Sequence, residues 1–174
     1  MKDELLKNKS ILLDTNILIA YSKYTNHLDP FFSYLTKHDS IPYITDAISF
    51  EFLRYSCTGG EFKKLEGWLL AQDMPMIHSK PEDVETATKL SVMYANKRMA
   101  DKKQVSFVDM LNAAQLIRYK DEIVLMTTDI HDYPLGIFDR IGVQAIDVVD
   151  QVLTVAFIRY NEQKYKKCRL DVDI

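Results

Sequence analysis

Cysteine pairs, histidine clusters, long apolar runs and a surplus of either charge are all missing from this 174-residue chain. Its two cysteines, Cys57 and Cys168, form neither a disulfide framework nor a metal-ligand spacing, which fits a reducing cytosolic setting. Its four histidines, His27, His38, His78 and His131, are scattered, and none stands beside an acid at zinc spacing. The apolar run near the start is interrupted by Asp14 and Asn16, so neither a signal peptide nor a membrane span is readable. Lysine and arginine total 22 against 25 acids. That balance argues against a protein that coats polyanions through bulk charge, and leaves local basic patches or bridging metal ions as routes to phosphate. No low-complexity stretch, internal repeat or convincing linker divides the chain. The expectation is a cytoplasmic protein with no membrane segment.

What is present is an ordinary globular composition, 47% hydrophobic and 27% charged, of a length suited to one well-cored domain. Ile11 to Leu13 is a continuous β-prone run and reads as a buried strand. Asp29-Pro30 predicts a helix start running to about His38. Pro42 to Thr45 reads as a strand. Thr45 then caps a helix with Ile48, Phe52 and Tyr55 on one face, stopped at Gly59-Gly60. Met74 to Ile77 is a further short strand. Ser79 to Glu82 has capping-box spacing ahead of a helix carrying Val84, Ala87, Leu90 and Tyr94. Ser106 opens the next helix, through Leu111, Ala114 and Ile117. Glu122 to Met126 and Val143 to Ile146 read as strands. From about Val149 the positions Val152, Leu153, Ala156, Phe157 and Tyr160 predict a helix. Strands alternating with helices imply a mostly parallel sheet covered on both faces. The expected division is a domain over residues 1–148 with a C-terminal helical extension over 149–174.

The most informative segment is Leu13-Asp14-Thr15-Asn16, where an aspartate closes the first strand. Three later acids stand where the fold can bring them beside it: Glu51 between Phe50 and Phe52, Asp109 in the first turn after Ser106, and Asp129 after the strand ending in Met126-Thr127-Thr128. In open α/β sheets functional groups gather beyond the carboxyl ends of strands, which is where Asp14 and Asp129 belong. Each acid has a plainer explanation. Asp109 has capping-box spacing from Ser106, Asp14 can be a turn residue, and Thr-Asp is a common strand exit, whereas Glu51, between two phenylalanines at the margin of the buried face, is harder to explain that way. Convergence is what asks for more. Two carboxylates about 5 Å apart repel by roughly 3 kcal/mol at an effective dielectric of 20. A hard divalent cation reverses that sign, because oxygen ligands suit Mg²⁺ or Mn²⁺.

The ordered set resembles the PIN-domain family over about residues 10–148, and within it the VapC-type toxins of prokaryotic toxin–antitoxin pairs. The segments that carry the resemblance are Leu13 to Ile19, Ser49 to Leu53, Val105 to Ala114 and Val124 to Asp129. It implies a PIN-like three-layer α/β/α sandwich and a metal-dependent endoribonuclease. Asp14, Glu51 and Asp109 match the three acids that hold Mg²⁺ or Mn²⁺ in that family, with Asp129 as the fourth and Asp132 its competitor. Thr15, Asn16 and a threonine before the last acid, Thr127 or Thr128, would assist near the metal or phosphate. The resemblance also implies a homodimer and a covering antitoxin. Trp68 with Leu65, Leu69 and Leu70, and Phe31, Phe32 and Tyr34, are candidates for either interface or for core.

Two basic groups are candidates for contact with RNA. Lys97, Arg98, Lys102 and Lys103 precede the Asp109 helix, with a plain surface loop as the alternative. Lys164, Lys166, Lys167 and Arg169 surround Tyr165 near the end of the chain, where a solvated terminus is the plainer reading. An aspartyl phosphatase would need an acid where Asn16 stands. A non-toxin PIN nuclease in RNA processing and a non-catalytic PIN module that binds RNA or protein are the other readings.

Overall fold

The computed structural model describes residues 6–99, 105–149 and 151–170. Among these residues, seven α-helices and six strands form an α/β fold built on one mostly parallel sheet of order β3-β2-β1-β4-β6-β5. The strands are β1 (Ser10–Leu13), β2 (Ile41–Thr45), β3 (Met76–Ile77), β4 (Ile123–Thr127), β5 (Phe138–Val148) and β6 (Gln151–Tyr160). The helices are α1 (Thr15–Lys23), α2 (Thr25–Lys37), α3 (Asp46–Arg54), α4 (Gly59–Ala71), α5 (Pro81–Lys97), α6 (Phe107–Tyr119) and α7 (Glu162–Leu170). β1 pairs in parallel with both β2 and β4, and β2 with β3. The chain moves outward from β1 to β3 and then jumps back past β1 to β4. With right-handed crossovers, that reversal puts α1 to α4 on one face of the sheet and α5 and α6 on the other. The two central strands are apolar on both faces, as two covered faces require: Ile11 to Leu13 and Ile123 to Met126 are all buried.

The reversal leaves a crevice between the carboxyl ends of β1 and β4, where an open α/β sheet presents functional groups. Asp14 and Thr127 stand at its two sides. The backbone N–H of Asp14 donates to the Met126 carbonyl at 3.0 Å, so β1 and β4 stay in register up to the site.

Four local readings need correction. Residues 151–160 are strand β6, inserted antiparallel between β4 and β5, so the helical extension is confined to α7. The spacing of Val152 to Tyr160 fits either element. The β-branched content and the open edge of β4 settle it as a strand. Gly59-Gly60 begins α4 rather than stopping α3, because Thr58 accepts from the Glu61 N–H while Glu61 accepts from the Thr58 N–H in a capping box. Helix α2 starts at Thr25 and carries Pro30 inside its second turn. Lys80, not Ser79, is the N-cap position of α5, where Asp83 accepts from the Lys80 N–H at 2.8 Å.

The aromatics offered as interface or core are mostly core. Phe32 is buried and stacks on Tyr21, and Trp68 packs against Tyr21 and Phe52. Leu70 alone of that set is strongly exposed, at 75%. Near the end of the chain, Lys164 pairs with Asp139 at 2.8 Å, Lys166 with Glu162 at 3.0 Å, and Tyr165 packs on Tyr160. The β5–β6 hairpin turns at Val149, which takes a positive φ of 38° despite its branched side chain.

Candidate active site

The local rules that end β1 also build the site. Asp14 is the N-cap of α1, and its Oδ1 accepts from the Thr15 N–H at 2.8 Å. Its Oδ2 accepts from the Thr127 hydroxyl at 2.6 Å and from the Asn16 side-chain amide at 2.9 Å. All three donors are neutral. Among the described residues no lysine or arginine pairs with Asp14, which is 3% exposed. Burial raises its pKa to about 7; the charges of Asp109 and Glu51 add to the rise, while the Thr127 and Thr15 hydrogen bonds oppose it.

Glu51 reaches this centre from α3. Its Oε2 accepts from the Thr15 hydroxyl at 2.5 Å, and Arg54 lies 3.6 Å from its Oε1. The pairing fixes the side chain at the margin of the buried face; the Glu51 side chain is 16% exposed against 64% for Arg54. Asp109 comes from the first turn of α6. Ser106 caps that helix by accepting from the Asp109 N–H at 3.1 Å, and its hydroxyl donates to Asp109 Oδ2 at 2.6 Å. The plain capping role and a place near the site are therefore both real. Burial raises the Asp109 pKa, Ser106 opposes this, and the charges of Glu51 and Asp129 raise it further.

Asp129 follows β4. Its N–H donates to Thr127 Oγ1 at 2.9 Å, and its Oδ1 accepts from the His131 N–H at 3.2 Å. The competing Asp132 is felt at Tyr94, whose hydroxyl donates to the Asp132 carbonyl at 3.3 Å. Asn16 ties the two sides of the crevice together, giving its amide to Asp14 and to Thr127 Oγ1 and accepting from the Thr128 N–H at 3.1 Å. Thr15, Asn16 and Thr128 therefore adjoin the acids. Lys102 and Lys103 lie outside the described residues.

Two buried polar residues escaped the sequence reading. Asn112, one turn after Asp109, is fully buried, and neither atom of its side-chain amide has a hydrogen bond of full geometry. Tyr133, after Asp129, is 1% exposed with an equally unpartnered hydroxyl. The two side chains face each other. Burial and the charges of Asp14 and Asp109 push the Tyr133 pKa well up, and Asn112 pulls against that. The sequence signal was an asparagine set in the apolar run from Met110 to Ala114.

No family model matches this chain, and no curated protein matches it in sequence. Its chemistry has to be read from the donor set. Carboxylates and hydroxyls suit a hard divalent cation and not a soft one. Among the described residues, no three His, Cys, Asp or Glu side chains converge closely enough to hold an ion as they stand. No described helix is long and apolar enough to cross a membrane.

Proposed function

We propose that this protein is a PIN-type endoribonuclease that hydrolyses RNA phosphodiester bonds at Asp14, Glu51, Asp109 and Asp129 with Mg²⁺ or Mn²⁺. One observation carries the reading: Asp14 is nearly fully buried, the charges of two other carboxylates act on it, and no described cation balances it. An array of this kind is stable as a set of anions only when a cation joins it.

Asp14, Glu51 and Asp109 would hold the ion and Asp129 would complete its surroundings. When bound, Mg²⁺ or Mn²⁺ supplies charge neutralisation at the phosphate and a nucleophilic water at neutral pH. Thr127 and the Thr15 N–H keep Asp14 turned into the crevice. Thr15 holds Glu51 and Ser106 holds Asp109, and Asn16 and Thr128, bonded to each other, would line the approach of the phosphate. The same resemblance supports a cytoplasmic homodimer acting as the toxin of a toxin–antitoxin pair. A small partner reading frame beside its gene would support that role, and an isolated gene would favour a housekeeping RNA-processing nuclease.

The dispersed carboxylates favour one second reading, a PIN module that binds RNA or protein without cutting. Incubating labelled single-stranded RNA and total tRNA with Mg²⁺, Mn²⁺ or EDTA separates the two. Metal-dependent cutting that disappears in Asp14→Asn supports the nuclease. Intact RNA under every metal, with no heat of metal binding by calorimetry, leaves the binding module.

A further inference from the structure

Beside Glu51 the surface opens into a groove of about 550 Å³. Phe50 on α3 and Phe107 at the start of α6 line it, with Arg54, Asp46 and Ser79. Phe50 is 67% exposed and Phe107 61%, whereas Phe52 takes the core position on α3 at 1%. Neither exposed ring serves the core, yet both stand where the two helices approach the acids.

The groove shares walls with the acidic site. Glu51 and Ser106 line it, and these are the residues bonded to Thr15 and Asp109. A strand with one phosphate at the acids therefore carries its neighbouring nucleotide across this groove. Aromatic faces accept any base by stacking, and a guanidinium adds contact to bases and backbone. The groove also holds an ordered acceptor. Burial pushes the Asp46 pKa up, but the Ser79 hydroxyl at 2.6 Å, the Ser79 N–H at 3.1 Å and the Ala47 N–H at 2.8 Å bring it below its ordinary value. An ionised carboxylate has about four acceptor positions. Those three donors leave one position on Oδ2, which the exposed His78 imidazole faces from 3.8 Å, too far for a hydrogen bond, so a base donor can take it.

We propose that this groove is a nucleobase subsite for single-stranded RNA cut at the neighbouring acids. Phe50 and Phe107 stack the base beside the scissile phosphate, and Asp46 accepts from its exocyclic amino group. Adenine, cytosine or guanine is then taken in preference to uracil, whose single donor on that edge is a ring N3–H set between two carbonyls that the carboxylate repels. A second copy or a helical partner would also use exposed phenylalanines. The shared walls and the anionic acceptor favour the base. The inference rests on the RNA-cleavage reading, so its test reads binding separately from cutting.

Oligo(A), oligo(C) and oligo(U) are offered to wild type, Phe50→Ala, Phe107→Ala, Phe50→Tyr and Asp46→Asn. Cleavage is followed with Mn²⁺. Binding is followed by fluorescence anisotropy with Mg²⁺ in an Asp14→Asn background, and particle mass by light scattering. Each alanine variant should lose about tenfold in kcat/KM and in affinity, at unchanged particle mass. Phe50→Tyr should restore both, and Asp46→Asn should erase the discrimination against oligo(U). Cleavage by wild type that neither alanine variant affects overturns the subsite. So does a fall from dimer to monomer with affinity for RNA intact, which would make the groove a protein interface. The same loss of binding with no cutting by any variant keeps the subsite and overturns the nuclease. Neither cutting nor oligonucleotide binding overturns both.

Discussion

Asp14 and Asp83 are buried alike, 3% and 2% exposed, and their surroundings could hardly differ more. Asp83 stands in the first turn of α5, accepts from the Lys80 N–H, and is bonded by the Arg118 guanidinium from α6. Arg118 in turn lies against the Tyr119 ring, 4.6 Å from its centroid. That carboxylate has its counter-ion built in and ties two helices together. Asp14 has hydroxyl and amide donors and other carboxylates as its neighbours. Burial alone therefore does not mark function. A buried carboxylate supplied with a cation is a structural joint, and one left without is a candidate site.

The comparison can be broken first at the joint. Arg118→Leu strands the Asp83 charge and should cost about 3–5 kcal/mol in urea unfolding, with cleavage per folded molecule unchanged. Adding Asp83→Asn should recover part of that loss, because the orphaned charge goes with it. At the site the balance is expected to reverse. Asp14→Asn should lower cleavage by at least about 100-fold while leaving stability at pH 8 equal or higher, as read by thermal melting beside initial rates.

The pH dependence sharpens the contrast. Asp14 has a folded pKa of about 7 against an unfolded value of 3.8, so between these values the folded state binds more protons. The Asp14 contribution to metal-free stability should be fully present below the lower value, fall as pH rises through the window, and be lost above about 7, with a span of at most a few kcal/mol. Urea titrations from pH 4 to 8 measure it. Asp14→Asn should flatten the slope, and saturating Mn²⁺ should offset the loss at the alkaline end.

Much of this was legible because it is local. Continuous apolar runs marked β1 and β4, and Thr45 and Ser106 cap the helices expected of them. The acid positions could be read because strand ends and first helical turns are short-range features. Strand β6 could not be, since its spacing fits a helix and only the distant edge of β4 decides otherwise. The exposure of Phe50 and Phe107 and the burial of Asn112 and Tyr133 are likewise products of packing, invisible in residue type. Tyr133 yields a smaller prediction. Tyr133→Phe removes a buried hydroxyl that faces Asn112 without a hydrogen bond of full geometry, and should move stability by no more than about 1 kcal/mol in urea. The smallest effect belongs far from the acids. Val149→Asn relieves a left-handed backbone in the hairpin turn and should add about 0.5 kcal/mol, measured the same way.

The place of β6 has a consequence for how the molecule comes into being. Synthesis runs from β1 to β4 before residues 151–160 exist, so the edge of β4 stays open during translation. That edge ends in Thr127, the hydroxyl that holds Asp14. Unpaired edges invite association with other chains, and non-local pairing is slow. The nascent protein therefore passes through a stage in which the outer edge of β4 is bare. A ribosome stalled before residue 151 would carry a fragment with an open sheet edge, and the last strand to emerge both covers that edge and steadies the strand whose Thr127 holds Asp14.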